Sequence, residues 1–298
     1  MPKTTLHVLD GTAVLFRAYY GMNKLSAPDG REVGGTFGFC QSLSRFVRVV
    51  RPTHAAVVFD TETATYRHEL YAAYKANRTE PPEDMVHQFE LAFTSAQALG
   101  FLCYRIPGYE ADDLMATMAY RGRRAGIRTI LVTPDKDVCQ LVEANVLMMD
   151  PRSLELADHD AVMKRFGVAP ASLPDVQALA GDATDNIPGV AGVGLKTAVR
   201  LIQAFGSMDA VYARLDEVAA LDIRGAKSIA KKLEAGRRMA YLSRELVRLN
   251  TDAPLSKDAM TLGMLRYRGP RQDADAHFDE IGYRAPLQAL RRHATGNG

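Results

Sequence analysis

The sequence predicts an α/β protein, a mainly parallel central sheet flanked by helices, joined to a second and helical domain. Three observations carry that expectation. Short runs rich in β-branched or aromatic residues at 6–9, 55–59, 101–105 and 129–133 alternate with amphipathic stretches such as 35–50, 84–99 and 111–125, the pattern of a parallel sheet with crossover helices. Three of those runs hand straight over to acids. From about residue 171 convincing strands stop, and a helical pattern with Gly and Pro punctuation takes over. The expected domains are 1–170, carrying an insertion at about 62–84, and 171–298, with a short helix possible on apolar spacing at 277–292. With 298 residues, 47% hydrophobic and 24% charged, the chain can bury one or two full cores, and disordered and fibrous classes are excluded.

Other classes fall away on similar grounds. The apolar runs are far shorter than the roughly 20 residues that span a bilayer, and the N-terminus meets an acid at Asp10 without a signal-peptide stretch. No membrane partner and a cytoplasmic location are expected. Cys40, Cys103 and Cys139 are odd in number, widely spaced and set among apolar residues, so they read as buried reduced thiols. Net charge is only +2, yet once nine acids argued below to share one site are set aside, the remainder is clearly basic. A basic surface around an acidic pit suits an enzyme acting on a polyanion.

Taken in order, the first run is followed by Asp10, the second by Asp60 and the fourth by Pro134-Asp135-Lys136-Asp137. In open parallel sheets the ligand crevice lies beyond the carboxyl ends of the strands. One Asp after a strand is ordinarily a turn former or helix N-cap, but three on one edge are a site. Tyr109-Glu110-Ala111-Asp112-Asp113 opens a helix with three acids in four residues, more than dipole compensation asks for. Asp112 and Asp113 project about 100° apart. Gly181-Asp182-Ala183-Thr184-Asp185 adds two more. Carboxylates about 4 Å apart repel by roughly 1 kcal/mol in water and roughly 4 at an effective dielectric of 20, so a cluster of this size requires cations or many shared protons, and at neutral pH cations are expected. All-oxygen ligands favour Mg²⁺ or Mn²⁺ over zinc, and two ions in such a site catalyse in-line attack at phosphorus.

Two further segments look like nucleic-acid handles. Between Asp60 and Glu110, the stretch 66–78 has helical propensity and places Arg67, Tyr71, Tyr74, Lys75 and Arg78 on one stripe of rings and cations, which suits single strands; a solvated amphipathic helix is the competing reading. Ile187-Pro188-Gly189-Val190-Ala191-Gly192-Val193-Gly194-Leu195-Lys196-Thr197-Ala198 matches a helix–hairpin–helix, placed at 187–206, with Gly192 and Gly194 letting the backbone approach a phosphate beside Lys196.

These residues resemble the 5′-nuclease family, which includes the N-terminal 5′→3′ exonuclease domain of bacterial DNA polymerase I and the flap endonucleases. The resemblance runs from about residue 6 to 250. It rests on Leu9-Asp10-Gly11, Phe16-Arg17-Ala18, Val58-Phe59-Asp60, Tyr66-Arg67-His68-Glu69-Leu70, Tyr74-Lys75-Ala76-Asn77-Arg78, the acidic helix start, Asp135-Lys136-Asp137 and Gly181 to Val190, in the family's order. The resemblance implies a PIN-like 5′-nuclease core, a helical arch and a helix–hairpin–helix domain, here without a polymerase domain following. Asp10, Asp60, Glu110 and Asp112 would hold one ion, and Asp113, Asp135, Asp137, Asp182 and Asp185 would serve a second site. Lys75 and Arg78 would be the catalytic cations, Tyr74 a stacking ring, Arg17 and Arg67 phosphate contacts, and the hairpin a duplex grip with a bound K⁺. Expected substrates are DNA with 5′ flaps, nicks, gaps or 5′ ends, and RNA–DNA hybrids, cut by a monomer alongside a separate DNA polymerase and ligase. Two departures stand out, Pro134 where the family has Gly and the extra small residues at 33–39. A related-fold ribonuclease and a non-catalytic junction binder are the alternatives.

Overall fold

The computed structural model describes residues 4–256 and 260–294. Strand β1 (Thr5–Asp10) leads into α1 (Gly11–Gly21) and α2 (Gly34–Val50); β2 (His54–Val58) is followed by the short α3 (Tyr66–Leu70) and by α4 (Glu83–Ala98). Then come β3 (Leu102–Tyr104), α5 (Ala111–Arg124), β4 (Arg128–Val132), β5 (Val146–Met149) and β6 (Leu156–Ala157). The sheet order is β3-β2-β1-β4-β5-β6, parallel throughout except for β6, which runs antiparallel to β5. Because β1 lies between β2 and β4, the chain leaves the sheet in opposite directions on its two sides, and the crevice at that switch point opens at the carboxyl ends.

Alternating side chains divide the sheet between two apolar layers, as a strand's period of two requires. Leu6, Val8, Ala56 and Val58 face α5, whereas Leu9, Val57, Ile130 and Val132 face α1, α2 and α4. The small residues at 33–39 serve that second layer: a Cβ at Gly38 would stand 2.7 Å from Met22 Cγ, and one at Gly35 2.9 Å from Gln88 Oε1. They let α2 sit close against its neighbours.

Beyond α6 (His159–Phe166) the chain is helical, with α7 (Leu173–Ala180), α8 (Leu195–Phe205), α9 (Met208–Ala213), α10 (Leu215–Ala220) and α11 (Ala226–Val247). Val176, Leu179, Ala198, Leu201 and Leu233 join the same apolar cluster as α5 and its sheet face. The tail departs from expectation. After α12 (Leu262–Leu265), α13 (Ala274–Glu280) and α14 (Ala285–Ala294) place Phe278, Ile281, Leu287 and Leu290 in the layer of α1 and α2, and Tyr267 donates its hydroxyl to the Leu99 carbonyl. The helical domain therefore does not run to 298, because the chain's last apolar stripe completes the opposite face of the sheet. β5 and β6 were also unexpected: four residues of Val, Leu and Met carry little strand signature.

Between α3 and α4 the segment is not the expected arch helix. Past Leu70 it runs through turns to Arg78, for a reason found in the site itself. Among the described residues no helix is long and apolar enough to cross a membrane, and Cys40, Cys103 and Cys139 are buried and free.

Candidate active site

The strand ends deliver their acids to one edge of the sheet. Asp10 is the last residue of β1; its Oδ1 caps α1 by accepting from the Ala13 N–H at 2.8 Å, and its Oδ2 accepts from Thr133 Oγ1 at 2.8 Å. Asp60, two residues past β2, donates its N–H to Thr12 Oγ1 at 2.8 Å and accepts from the Ala111 N–H at 2.7 Å, which ties it to the first turn of α5 beside Asp112. Thr133 Oγ1 also accepts from the Asp135 N–H at 3.1 Å, and Asp135 Oδ1 accepts from the Asp137 N–H at 2.8 Å. The Thr133 hydroxyl thus links Asp10 to Asp135 across Pro134, so the proline's missing donor is not needed here.

Burial and mutual repulsion act on these carboxyls. Burial and then the Asp60 charge push Asp10 up to about 7. Asp112 is driven well above the usual carboxylate range by burial, Asp135, Asp10, Asp60 and Glu110. Asp60 opens to solvent at the mouth, yet the protein crowded around it and then Glu110 raise it too. Asp137 rises to about 6 through burial and Asp135. Among the described residues, Asp10, Asp60, Asp112 and Asp135 have no ion-paired Lys, Arg or His. No three His, Cys, Asp or Glu of those residues are already drawn around one ion's position; the acids share a field without converging on a point. Uncompensated carboxylates of this kind fit hard divalent cations in ligand type and in charge.

Five acids of the set are matched with cations. Glu110 takes Lys75 Nζ at 2.6 Å and Arg67 Nη1 at 3.1 Å, and although burial alone would raise it, those two charges hold it below its ordinary value. Arg78 pairs with Asp185. Lys136 Nζ lies 2.5 Å from Asp182 Oδ2 and 3.6 Å from Asp137 Oδ1. Asp113 accepts from both guanidinium nitrogens of Arg67, at 2.7 and 2.8 Å, and from the Asn250 N–H at 2.8 Å.

Three expectations change with that last group. Asp113 is fully buried and its oxygens are committed to Arg67 and backbone N–H groups, so it is withdrawn from the ion set. Arg67 is 1% exposed and also donates to the Leu246 and Arg248 carbonyls; it braces the fold and meets no phosphate. Tyr74, 3% exposed, donates its hydroxyl to Glu110 Oε2 at 3.0 Å, which leaves no ring face for a base.

The turns at 71–78 exist because another loop takes their backbone partners. The Lys75 N–H donates to the Asp185 carbonyl at 2.9 Å, Asn186 Nδ2 to the Ala73 carbonyl at 2.6 Å and Asn77 Nδ2 to the Ala183 carbonyl at 2.7 Å. Lys75 and Asn186 both take left-handed backbone, with φ of 56° and 54°, a conformation costly enough to need such support. The partner loop is itself closed by Gly181 and Gly189 at φ 75° and 61°; a Cβ on Gly189 would stand 2.3 Å from Gly181 N. Lys75 and Arg78 are thereby fixed at the rim of the acid pit.

The hairpin begins earlier than placed. Its first helix is α7 and its second α8, joined through 181–194, so the span 187–206 held only the turn and the second helix. Gly192 is left-handed at φ 77°. Gly194 caps α8 with nothing within 4 Å of where a Cβ would be, and Lys196 is exposed. Arg17 is exposed on α1.

Residues that the sequence reading passed over include Thr12 and Thr133, which orient Asp60, Asp10 and Asp135, and Gln177, whose Nε2 donates to Asp137 Oδ1 at 2.6 Å. Thr133 had a signal, a hydroxyl at a strand's end next to the acids. Gln177 had none.

Comparison with known proteins agrees with this geometry. Residues 5–167 match the 5′-3′ exonuclease N-terminal resolvase-like domain, and residues 168–273 match the 5′-3′ exonuclease C-terminal SAM fold. DNA polymerase I of Rhizobium leguminosarum is 37% identical over 274 residues, covering 89% of this chain, and that of Pseudomonas aeruginosa is 36% identical over 301 residues, covering 100%. The chain spans 26% and 32% of the length of those two relatives. A flap endonuclease of bacteriophage T5, solved in complex with DNA and metal ions, superposes with a TM-score of 0.66 at 18% identity, covering 98% of each chain. By its family match across both halves, the chain belongs to the 5′-3′ exonuclease family of nucleases.

Proposed function

We propose that this chain hydrolyses phosphodiester bonds of DNA in the presence of Mg²⁺ or Mn²⁺, acting at 5′ ends and at 5′ flaps, nicks and gaps. The observation that carries the reading is the group Asp10, Asp60, Asp112 and Asp135, set along one sheet edge from three strand ends and one helix start and without an ion-paired Lys, Arg or His among the described residues. Asp10, Asp60, Glu110 and Asp112 are the residues to hold one ion, and Asp135, Asp137, Asp182 and Asp185 to serve a second. Bound there, divalent ions supply positive charge to the phosphate oxygens and ease deprotonation of the attacking water.

The chain's own residues supply the rest. Lys75 and Arg78 stand at the rim on turns fixed by the 181–189 loop, so their charges wait where negative charge grows on the phosphate. Ions held by Glu110 and by Asp185 would compete with Lys75 and Arg78 for those carboxylates and leave both cations free to meet the substrate. The hairpin offers clear space at Gly194, the start of α8, and the exposed Lys196 ammonium to a duplex phosphate. A K⁺ at the hairpin would share the Gly192 carbonyl with Lys232 Nζ, which lies 3.5 Å away.

The decisive experiment incubates a 5′-flap duplex with the protein and Mg²⁺ and resolves the products on a denaturing gel. Cleavage near the junction that stops when ions are stripped with EDTA is expected. Undiminished turnover in excess EDTA would sink the reading, as would binding without any cutting.

A further inference from the structure

Asp135-Lys136-Asp137 puts a cation between two acids of the second ion set. Lys136 Nζ lies 2.5 Å from Asp182 Oδ2 and 3.6 Å from Asp137 Oδ1, so one ammonium bridges two of the carboxylates proposed for that ion; Asp185 takes Arg78 instead. Both bridged carboxylates hold their places without the lysine. Asp182 Oδ1 accepts from the Thr184 N–H at 2.8 Å, and the Asp182 backbone donates to the Ile187 carbonyl at 2.9 Å and accepts from the Ile187 N–H at 2.8 Å. Asp137 Oδ1 accepts from Gln177 Nε2 at 2.6 Å, the Asp137 carbonyl from Gln140 Nε2 at 2.9 Å, and the Asp137 N–H donates to Asp135 Oδ1 at 2.8 Å. Those donors are neutral groups. They orient the two acids and leave their charge in place, whereas Lys136 cancels it.

The lysine can also leave. Its side chain is 45% exposed, so the ammonium can swing into water on its flexible stem while neutral hydrogen bonds keep the acids where they are. A divalent ion brings twice the charge to the same oxygens, and like charges a few ångströms apart repel, so ammonium and ion compete for one seat. The ion's apparent affinity is then reduced by the fraction of molecules in which the lysine is out; a lysine seated in about nine-tenths of them lowers it about tenfold. In the first ion set, Asp10, Asp60 and Asp112 have no ion-paired Lys, Arg or His among the described residues. Resting on the nuclease reading above, we propose that Lys136 is an internal cation that occupies Asp137 and Asp182, so that the second ion set fills only at a divalent-ion concentration high enough to displace it, after the first.

The test titrates the protein with Mn²⁺ in the absence of DNA, at fixed ionic strength and pH 7.5, and reads the free ion by electron paramagnetic resonance. The parent shows a tighter and a weaker class of site. Lys136→Gln tightens the weaker class by about tenfold and the tighter class by under about twofold. Lys136→Met, which also removes the charge, does the same, and Lys136→Arg keeps the parent's values. A gain of affinity of this kind cannot come from a damaged fold. Thermal unfolding gives a second readout: a fixed Mn²⁺ concentration raises the midpoint of Lys136→Gln more than that of the parent, because tighter binding to the native state stabilises it more. Unchanged Mn²⁺ binding in Lys136→Gln overturns the inference. So does equal tightening of both classes, which would make Lys136 one charge in a general field, and so does an unchanged titration with weakened binding of a 5′-flap duplex in EDTA, which would make it a phosphate contact. A parent that binds no Mn²⁺ overturns the nuclease reading itself, a separate failure.

Discussion

Asp112 and Asp113 are neighbours on the first turn of one helix, and they have opposite fates. Asp112 looks into the pit, where burial and four other acids drive its carboxyl well above the usual range. Asp113 looks into the protein, where Arg67 and two backbone N–H groups answer both its oxygens. The rotation of about 100° per residue therefore separates a carboxylate kept open from one closed into the fold. Open charge marks the side of the proposed chemistry, and closed charge the frame. Glu110 stands between the two, closed onto Lys75 and Arg67 but within the field of Asp60 and Asp112.

The difference can be broken by mutation on each side. Asp112→Asn should lower single-turnover cleavage by 10³-fold or more while the thermal midpoint holds or rises, because a repelled charge is removed. Arg67→Ala should cost about 3–5 kcal/mol of stability by stranding the buried Asp113 carboxylate, read from urea unfolding. If Arg67→Ala left stability intact, or Asp112→Asn left cleavage intact, the division between open and closed acids would fail.

Lys75 tests the boundary between the two. Its ammonium closes onto Glu110 in this structure, and although burial opposes it, Glu110 and Asp185 favour its charged form. Lys75→Ala should slow single-turnover cleavage by about 10²-fold, the scale for losing one group matched to transition-state charge, with little change in DNA affinity. A purely weakened dissociation constant would move Lys75 to tethering.

How much of this was legible follows the same line. The open acids were readable from local signals: Asp10 and Asp60 each close a short apolar run, Asp135 follows one by way of Thr133 and Pro134, and Asp112 sits in an acid-rich helix start. The closed ones were not. Arg67 and Tyr74 fell on a plausible helical stripe, and nothing local shows that Ala183, Asp185 and Asn186, more than 100 residues on, claim the hydrogen-bonding groups of Ala73, Lys75 and Asn77. Tertiary hydrogen bonds overrode helical propensity there. The return of Phe278 and Leu287 to the α1–α2 layer is likewise a long-range event. The apolar spacing was visible; its destination was not.

Asp10 gives the same comparison a pH axis. Its folded-state pKa is raised to about 7 from 3.8, so between those values the folded protein binds more protons than the unfolded, and stability falls as pH rises across that window. His7, lowered to about 4 by burial, acts in the opposite direction between about 4 and 6.5, so the informative quantity is a difference between proteins. Asn at position 10 keeps the N-cap and loses the charge. In EDTA, the gain in thermal midpoint of Asp10→Asn over the parent should grow from pH 4 to pH 7 and then level, and Mg²⁺ at pH 7.5 should shrink it. A gain equal at pH 4.5 and pH 8 would refute the assignment.

The smallest effect belongs to the hairpin. Lys196 is exposed and makes no hydrogen bond or ion pair among the described residues, and Gly194 leaves clear space at the start of α8. Such a contact touches phosphate and reads no base edge, so its contribution is release of one counterion. Lys196→Ala should therefore lower the slope of log K against log[salt] by about 0.9, equally for duplexes of unrelated sequence, while the cut stays in the same place because Asp10, Asp60 and Lys75 are untouched. Gly194→Val should weaken binding by filling the space that a phosphate would enter, without changing the fold, since φ there is an ordinary −88°. If both variants bound as tightly as the parent across a salt titration, the hairpin would join the frame, and its open charge would be a solvated lysine with no partner to meet.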